Sequence, residues 1–247
     1  MGLVVGSFLN VVVARLPKGK SLVRPRSQCP KCKKQISWYD NVPVFSYLFL
    51  RGKCRACKTT ISPRYPVIEL LTGMLFLAAL MRFGWSWSLV FRDWPFLALL
   101  VAIAFIDLEH RIIPDPLSLG GLGLGLATCW LGGQVPWLQC WTGAAFGFSV
   151  FYALAWAYQH WSGRSGLGGG DVKLLAMIGA FLGPGGVFAT IFISSVVGSI
   201  VGIGWALATK RKDVMKLSVP YGPFLVVGAI YYYLLGDILW FQFMTPM

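Results

Sequence analysis

Two aspartates lie where an acidic side chain is costly. Asp107 ends an apolar run that begins at residue 96, and Asp171 follows three glycines and begins the apolar run 172–181. Carboxylates at the ends of apolar runs are expensive in a membrane and are therefore candidates for function. Two neighbouring carboxyl groups share a proton, because like charges resist joint ionisation. Such a pair could hydrolyse a peptide bond, with one carboxylate activating water and the other carboxyl donating to the carbonyl oxygen.

The positions of the two aspartates suggest a division of roles. Asp171 would stand at a helix N-terminus, where the helix dipole favours a carboxylate, and Asp107 near a helix C-terminus, where the dipole disfavours one. We hypothesise that Asp171 is the readier base and Asp107 the proton donor in the resting protein. The structural alternative is that Asp171 only caps a helix and that Asp107 is a turn residue at the interface.

Four cysteines form a second group with chemical potential. They make two C-x-x-C pairs, Cys29 with Cys32 and Cys54 with Cys57, which are separated by 21 residues. Paired knuckles at this distance supply four thiolates in tetrahedral geometry, so we predict a structural zinc site. A redox pair or incidental cysteines remain open as alternatives, and the spacing does not distinguish zinc from iron.

Three further charged residues have roles that the sequence leaves open. Asp115 lies between two prolines and is either a turn or cap residue or part of a site. Glu69 lies one turn into an apolar run, where it is either functional or paired with a basic residue. Lys173 either orients a substrate or extends its amine to the interface.

The elements that hold these residues are predicted from composition. Hydrophobic residues make up 56% of the chain, charged residues 13%, and the mean hydropathy is +0.66. A soluble domain needs more polar surface, so we predict an all-α polytopic membrane protein in which each span uses roughly 20 apolar residues. The alternation of a membrane β-barrel is absent. About eight spans are expected, at residues 1–16, 65–83, 94–106, 116–132, 138–158, 172–183, 187–208 and 219–244.

This pattern divides the chain into three parts. Residues 1–16 form a short first span, which is either truncated at its outer end or begins upstream, and residues 17–64 form a zinc-binding loop domain. Residues 65–247 form a seven-helix membrane core, in which the glycine-proline segment 183–186 breaks the helical pattern.

The positive charge predicts the orientation. Residues 15–64 hold 13 lysines and arginines against one acidic residue, whereas the whole chain has a net charge of +13. Basic loops beside spans are cytoplasmic, so the N-terminus would lie outside and both aspartates at the cytoplasmic face. The basic loop 209–218 would also be inside, leaving Arg82 and Arg92 outside. We expect anionic lipid, and not nucleic acid, beside this charge.

Short motifs extend over the whole chain. They are Gly6-Ser-Phe-Leu-Asn-Val11, Cys29-Pro-Lys-Cys32, Trp38-Tyr-Asp-Asn-Val-Pro43, Arg51-Gly-Lys-Cys54-Arg-Ala-Cys57, Ile61-Ser-Pro-Arg-Tyr-Pro66, Ile106-Asp107, Pro114-Asp115, Gly168-Gly-Gly-Asp171-Val-Lys173 and Pro220-Tyr-Gly-Pro-Phe224. Together they resemble those of the bacterial prepilin leader peptidase/N-methyltransferase family. The glycine-aspartate element is also similar to that of presenilin-type (GxGD) intramembrane aspartic proteases.

The resemblance implies a function that spacing alone does not give. It implies an inner-membrane peptidase whose catalytic aspartates are Asp107 and Asp171. Its substrates would be precursors of type IV pilins or type II secretion pseudopilins, cut on the cytoplasmic side after a glycine. Members with a four-cysteine loop usually also methylate the new N-terminus with S-adenosylmethionine, so a bifunctional enzyme is expected. No glycine-rich fingerprint locates the methyl donor.

Two other classes of function compete with this interpretation. A transporter could use membrane carboxylates to bind protons or cations, but it would place them at the midplane within repeated, discontinuous helices. A membrane adaptor could bind a partner through the zinc loop, which would leave both aspartates unexplained.

Overall fold

The chain was analysed as a computed structural model, which describes residues 1–29, 31–132, 135–162, 168–209 and 220–239. These residues form helices and no strands, which confirms the predicted all-α class. The helices are α1 (Gly2–Arg15), α2 (Phe45–Phe49), α3 (Arg64–Phe83), α4 (Trp94–His110), α5 (Asp115–Ala127), α6 (Trp137–Ser162), α7 (Gly169–Thr209) and α8 (Gly222–Leu239). Short 3-10 turns lie at Leu16–Lys18, Trp38–Asn41 and Cys129–Leu131, and a π-helical turn at Leu89–Asp93 precedes α4.

Several of these helices can cross a membrane. Within the described residues, four segments are long and apolar enough, namely Arg64–Phe83, Leu89–His110, Trp137–Trp161 and Gly169–Trp205. The segment Gly222–Gly236 is apolar but shorter. Each of the eight predicted runs lies in a helix as far as the structure describes it, and two of them share α7. The lysines and the arginine of the loop 209–218 and the end of the last run lie outside the described residues.

α7 consists of two arms that run in opposite directions. At Gly183 the backbone leaves helical geometry with a φ of 69°. Beyond this point the chain packs along α8 in reverse order, because Gly186 approaches Tyr232 whereas Ser194 hydrogen-bonds Tyr221 at 2.8 Å. We call residues 169–182 the first arm and residues 184–209 the second arm. The predicted break at 183–186 is therefore confirmed as a turn between two antiparallel segments.

Glycines set the distance between neighbouring helices. A Cβ atom on Gly143 of α6 would collide with the carbonyl oxygen of Gly179 in the first arm, and a Cβ atom on Gly179 would collide with Gly143. α1 approaches α3 in the same way, since a Cβ on Gly6 would lie 2.6 Å from the Cα of Glu69. Small residues at membrane helix interfaces allow this backbone contact, which dispersion forces then stabilise.

A buried arginine holds the turn in α7. Pro184 has no N–H group, so the carbonyl oxygen of Ala180 lacks its usual helical donor. The guanidinium of Arg92 donates instead to Ala180 and Phe181, at 3.1 and 3.2 Å, and to Gly125 of α5 at 2.9 Å. Arg92 lies in the connection between α3 and α4, at the end of the bundle away from the two aspartates, but its burial was not predicted. Its side chain is only 3% exposed, because the carbonyls freed by the turn need a donor inside the bundle.

Five helix ends meet at the opposite end of the bundle. Arg64 at the start of α3 forms an ion pair with Glu109 near the end of α4. Lys173 near the start of α7 forms an ion pair with Asp115, the first residue of α5, at 2.7 Å. The first residue of α8 also reaches α4 here. The loop between α1 and α3 is attached at this end, so the cysteines and both candidate aspartates lie on one side of the bundle.

The role assigned to Arg92 predicts a loss of stability. We expect Arg92→Met to lower the free energy of unfolding by about 1 to 3 kcal/mol, because the substitution leaves buried carbonyl oxygens without donors. Thermal unfolding of the purified protein in detergent measures this effect. Arg82→Met, at an exposed arginine, is the matched control and should unfold like wild type. Equal stability of the two variants would contradict the proposed role.

Candidate active site and metal centre

Asp107 is held inside the bundle at the end of α4. The helix ends three residues later, where Arg111 takes a left-handed conformation and its N–H group donates to the carbonyl of Asp107 at 2.9 Å. The carboxyl group is only 5% exposed, and its Oδ2 accepts a hydrogen bond from the N–H of Gly222 at 3.0 Å. One carboxyl oxygen therefore has a fixed partner from a helix that is distant in sequence.

Asp171 lies in the first turn of the first arm, within range of an electrostatic interaction with Asp107. Its N–H group donates to the carbonyl of Gly168 at 3.0 Å, and its side chain is half-buried. The two carboxyl groups are close enough to interact electrostatically. Gly170 permits this approach, since a Cβ atom there would lie 2.9 Å from the Cβ of Ile113 in the α4–α5 connection. The structure thus brings together the two residues that the sequence singled out.

Each of the two aspartates lies beside the N-terminus of a helix. Gly222 is the first residue of α8, so its N–H is one of the free donors at a helix N-terminus. Asp107 therefore has the favourable end of the α8 dipole beside it, just as Asp171 has that of α7. The hypothesis that Asp171 is the readier base loses its physical basis. The roles of acid and base are better assigned to the pair as a unit.

The contact of Gly222 with Asp107 was not predicted from the sequence. A Cβ atom at this position would lie 2.6 Å from Oδ2 of Asp107 and 3.1 Å from its Cγ. Any larger residue would displace the carboxyl group or break its hydrogen bond. The available signal was a glycine between Tyr221 and Pro223 at the start of an apolar run, but nothing local to that motif points to Asp107.

The ion pair between Asp115 and Lys173 lies beside the carboxyl pair. Asp115 is the first residue of α5, and its side chain is 57% exposed against 34% for Lys173. Each charge has the other as its partner, a contact that was not predicted for either residue. They fix the start of α5 to the start of α7.

The four cysteines converge on one point. The Sγ atoms of Cys29, Cys32, Cys54 and Cys57 all lie within 4.8 Å of one another, and those of Cys29 and Cys57 are 3.7 Å apart. A tetrahedral zinc ion with bonds of about 2.3 Å to sulfur needs sulfur atoms roughly 3.8 Å apart. The cluster could therefore hold a metal ion, and its geometry and thiol ligands fit zinc.

The two C-x-x-C turns share one backbone structure. In the first, the N–H of Lys33 donates to the carbonyl of Cys29 at 2.9 Å, and in the second Lys58 donates to Cys54 at 2.9 Å. Lys33 and Lys58 both have a φ of 56°. An isolated β-bridge closes each turn. Two equivalent turns that face each other are the arrangement that presents four sulfur atoms to one ion.

Backbone donors favour the thiolate form of two cysteines in this cluster. Hydrogen bonds from the backbone at Cys32 and Lys31 lower the pKa of Cys29. A backbone hydrogen bond from Thr59 lowers the pKa of Cys57 to about 6. Thiolates are the form that binds metal, so these two residues are poised for coordination at neutral pH.

Comparisons with known proteins match both parts of the chain. The family model described as the bacterial peptidase A24 N-terminal domain matches residues 1–83, and that of the type IV leader peptidase family matches residues 94–203. No solved structure matches the chain significantly.

Three curated relatives carry the name prepilin leader peptidase/N-methyltransferase. The relative from Myxococcus xanthus is 45% identical over 211 residues, which are 85% of this chain and 63% of the relative. The chain thus spans less than two thirds of that protein. The relative from Neisseria gonorrhoeae is 36% identical over 97% of this chain and 90% of its own length. The relative from Aeromonas hydrophila is 37% identical over 95% of this chain and 88% of its own length.

The cysteine cluster predicts a measurable metal content. We expect the purified wild-type protein to hold about one zinc ion per chain and Cys29→Ser to lose most of it, because three thiolates bind more weakly than four. Elemental analysis by mass spectrometry gives the ratio. Cys129→Ser, at a cysteine outside the cluster, is the control and should keep its metal. Full zinc occupancy in Cys29→Ser would exclude the predicted ligand set.

Proposed function

We propose that this chain, which belongs to the type IV leader peptidase family, removes the leader from type IV prepilins or type II secretion pseudopilins and methylates the new N-terminus. The observation that carries the proposal is the approach of Asp107 and Asp171 at one end of a bundle of apolar helices. The names of the relatives support both activities.

The carboxyl pair can perform the hydrolysis without further groups. The ionised carboxylate takes a proton from water while the water oxygen attacks the scissile carbonyl carbon. The protonated carboxyl gives its proton to the carbonyl oxygen, so that no free charge forms on it. When the tetrahedral intermediate collapses, the carbon–nitrogen bond breaks and the amine takes a proton from the pair. One hydroxyl group of the intermediate gives its proton back to the pair as the new carboxyl group forms, so the original protonation state returns.

The location of the pair suits a substrate that is anchored in the membrane. A prepilin has a basic leader followed by an apolar helix held in the bilayer. Asp107 and Asp171 lie at helix ends, so they would meet the peptide bond that joins these two parts. We assign this end of the bundle to the cytoplasmic face of the inner membrane, because the basic cysteine loop is attached there. The N-terminus of α1 would then lie outside.

We assign the four cysteines to a structural metal site, and we assign S-adenosylmethionine to the methylation of the new N-terminus. A zinc ion held by Cys29, Cys32, Cys54 and Cys57 would fold a loop that has little apolar core of its own. S-adenosylmethionine, when bound, supplies the methyl group. The division into a first span, a zinc loop domain and a membrane core stays a prediction.

Loss of either carboxyl group tests the peptidase. We expect Asp107→Asn and Asp171→Asn each to abolish leader cleavage of a co-expressed prepilin. The amide that replaces one carboxyl group can neither take a proton from water nor give one to the carbonyl oxygen. Gel mobility of the pilin measures cleavage, and membrane fractionation confirms insertion of each variant. Cleavage by a well-inserted variant would remove that residue from the mechanism. Absence of cleavage by wild type would favour the transporter or adaptor class.

Gly222 gives a second test that leaves both carboxyl groups in place. We expect Gly222→Ala to lower the cleavage rate by about 100-fold, because small displacements of a catalytic group have effects of this order. Gly123→Ala is the matched control, since a Cβ atom at Gly123 meets nothing within 4 Å. Cleavage assays on equal amounts of inserted protein compare the two variants. A wild-type rate for Gly222→Ala would show that Asp107 does not need this contact.

A further inference from the structure

One side of the short helix α2 is attached to the membrane bundle. The N–H of Val44, the residue before the helix, donates to Oε2 of Glu69 at 2.8 Å, and Glu69 lies in α3. Further along α2, the hydroxyl group of Tyr47 donates to the carbonyl oxygen of Ile61 at 3.4 Å, just before α3 begins. Val44 and Tyr47 therefore lie on the side of α2 that contacts α3 and the residues leading into it.

The other side of α2 is apolar and exposed. Phe45, Leu48 and Phe49 are 57%, 65% and 85% exposed, so the described residues leave most of each side chain uncovered. Their spacing of three and four residues puts them on one face of the helix. We call these three side chains the outer face of α2. A contiguous apolar patch of this kind marks a contact with a partner or with a membrane.

The contacts with α3 place α2 at the membrane surface. α3 has 20 residues and reaches about 30 Å, which is the thickness of the hydrocarbon core. Its first residue, Arg64, then marks one boundary of the core, and Glu69 lies about 7.5 Å further in. The side chain of Glu69 leans back towards the start of the helix, so Val44 lies between these two levels. Interfacial helices lie at this depth, with their apolar faces about 5 to 10 Å into the boundary between headgroups and acyl chains.

Two cations follow the outer face directly. Arg51 and Lys53 are both exposed, and within the described residues neither has an acidic partner. Gly52 lies between them with a φ of 66°, and its N–H donates to the carbonyl of Tyr47 at 2.9 Å, so the chain turns back against α2 at this point. An apolar helical face that ends in exposed cations fits a bilayer surface with anionic headgroups.

The groove beside the outer face adds no unpaired charge. Its volume is about 410 Å³, and Phe45 and Phe49 line it together with Asp40 and Arg55. Asp40 accepts hydrogen bonds from Arg55 at 2.7 to 3.1 Å. Because these two charges neutralise each other, lipid that enters beside the phenylalanines leaves no lone charge in apolar surroundings.

From these contacts we propose that α2 is an interfacial anchor whose outer face inserts among the headgroups and upper acyl chains of an anionic bilayer, with Arg51 and Lys53 on the lipid phosphates. The inference does not depend on the proposed peptidase or methyltransferase activity. Arg64 at the start of α3 is paired with Glu109, which lies two residues after Asp107 on α4. The anchor therefore holds the cysteine loop against the membrane at the level of the carboxyl pair.

A photoreactive lipid tests the anchor directly. Wild type is placed, without prepilin, in phospholipid nanodiscs that hold one chain each and contain a phospholipid with a diazirine near the top of its acyl chain and one with a diazirine at the chain end. After irradiation we expect mass spectrometry to find label on residues 45–49 and also on Leu77, an exposed residue in the interior of α3. Label on α3 without label on residues 45–49 would overturn the proposal. Loss of the label from residues 45–49 when prepilin is added would also overturn it, because the outer face would then be a substrate site.

Two substitutions separate anchoring from simple exposure. In nanodiscs, we expect Phe49→Ser to accelerate hydrogen–deuterium exchange of the α2 amides by about 10-fold or more, because withdrawing an aromatic side chain from apolar surroundings shifts an equilibrium by that much. Val23→Ser is the matched control, since Val23 is 81% exposed in the same loop but lies outside α2, and it should exchange like wild type. Equal exchange in Phe49→Ser and wild type would contradict insertion. Should Phe49→Ser fail to fold, the labelling of wild type decides alone.

Lipid composition tests the role of the two cations. Label on residues 45–49 should increase when phosphatidylglycerol replaces part of the phosphatidylcholine in the nanodiscs, and Arg51→Gln should reduce this increase, because a cation near an anionic surface is attracted to it. Equal labelling in both lipid mixtures would overturn the part of the proposal that concerns Arg51 and Lys53.

Discussion

The hydrogen bond from the N–H of Gly222 to Asp107 fixes the arrangement on which the proposed chemistry depends. It joins residues 115 positions apart and brings the first turn of α8 onto the last turn of α4. Two ion pairs at the same end, Arg64 with Glu109 and Lys173 with Asp115, tie three more helix ends into the group. A carboxyl group on one of these helices can meet one on another only because all five ends converge.

Local features of the sequence were enough to predict the helices and the cysteine cluster. A C-x-x-C turn needs only the few residues between Cys29 and Lys34, and an apolar run predicts its own helix. The roles of Gly222 and Arg92 could not be predicted in this way. Gly222 acts on a carboxyl group of another helix, and Arg92 donates to carbonyls freed by a turn 88 residues away. Both contacts are set by tertiary packing.

The electrostatic surroundings of Asp107 also depend on tertiary packing. Within its own helix, Asp107 lies near the unfavourable C-terminus. In the bundle the N-terminus of α8 lies beside that side chain, so the local and the tertiary dipoles oppose each other. Near the ends of packed helices, the sequence position of a charged residue does not determine its electrostatic surroundings.

The length of the first arm of α7 has a consequence for where water enters. Fourteen helical residues reach about 21 Å, roughly 9 Å less than the hydrocarbon core of a typical bilayer. The turn at Gly183 and the carboxyl group of Asp171 therefore cannot both lie at a membrane surface. At the turn, Arg92 satisfies the freed carbonyls without water, whereas the proposed hydrolysis would consume water at Asp171. The missing length would then be accommodated on the far side, where the bilayer thins or closes over the turn, and the carboxyl pair would keep its contact with the aqueous phase.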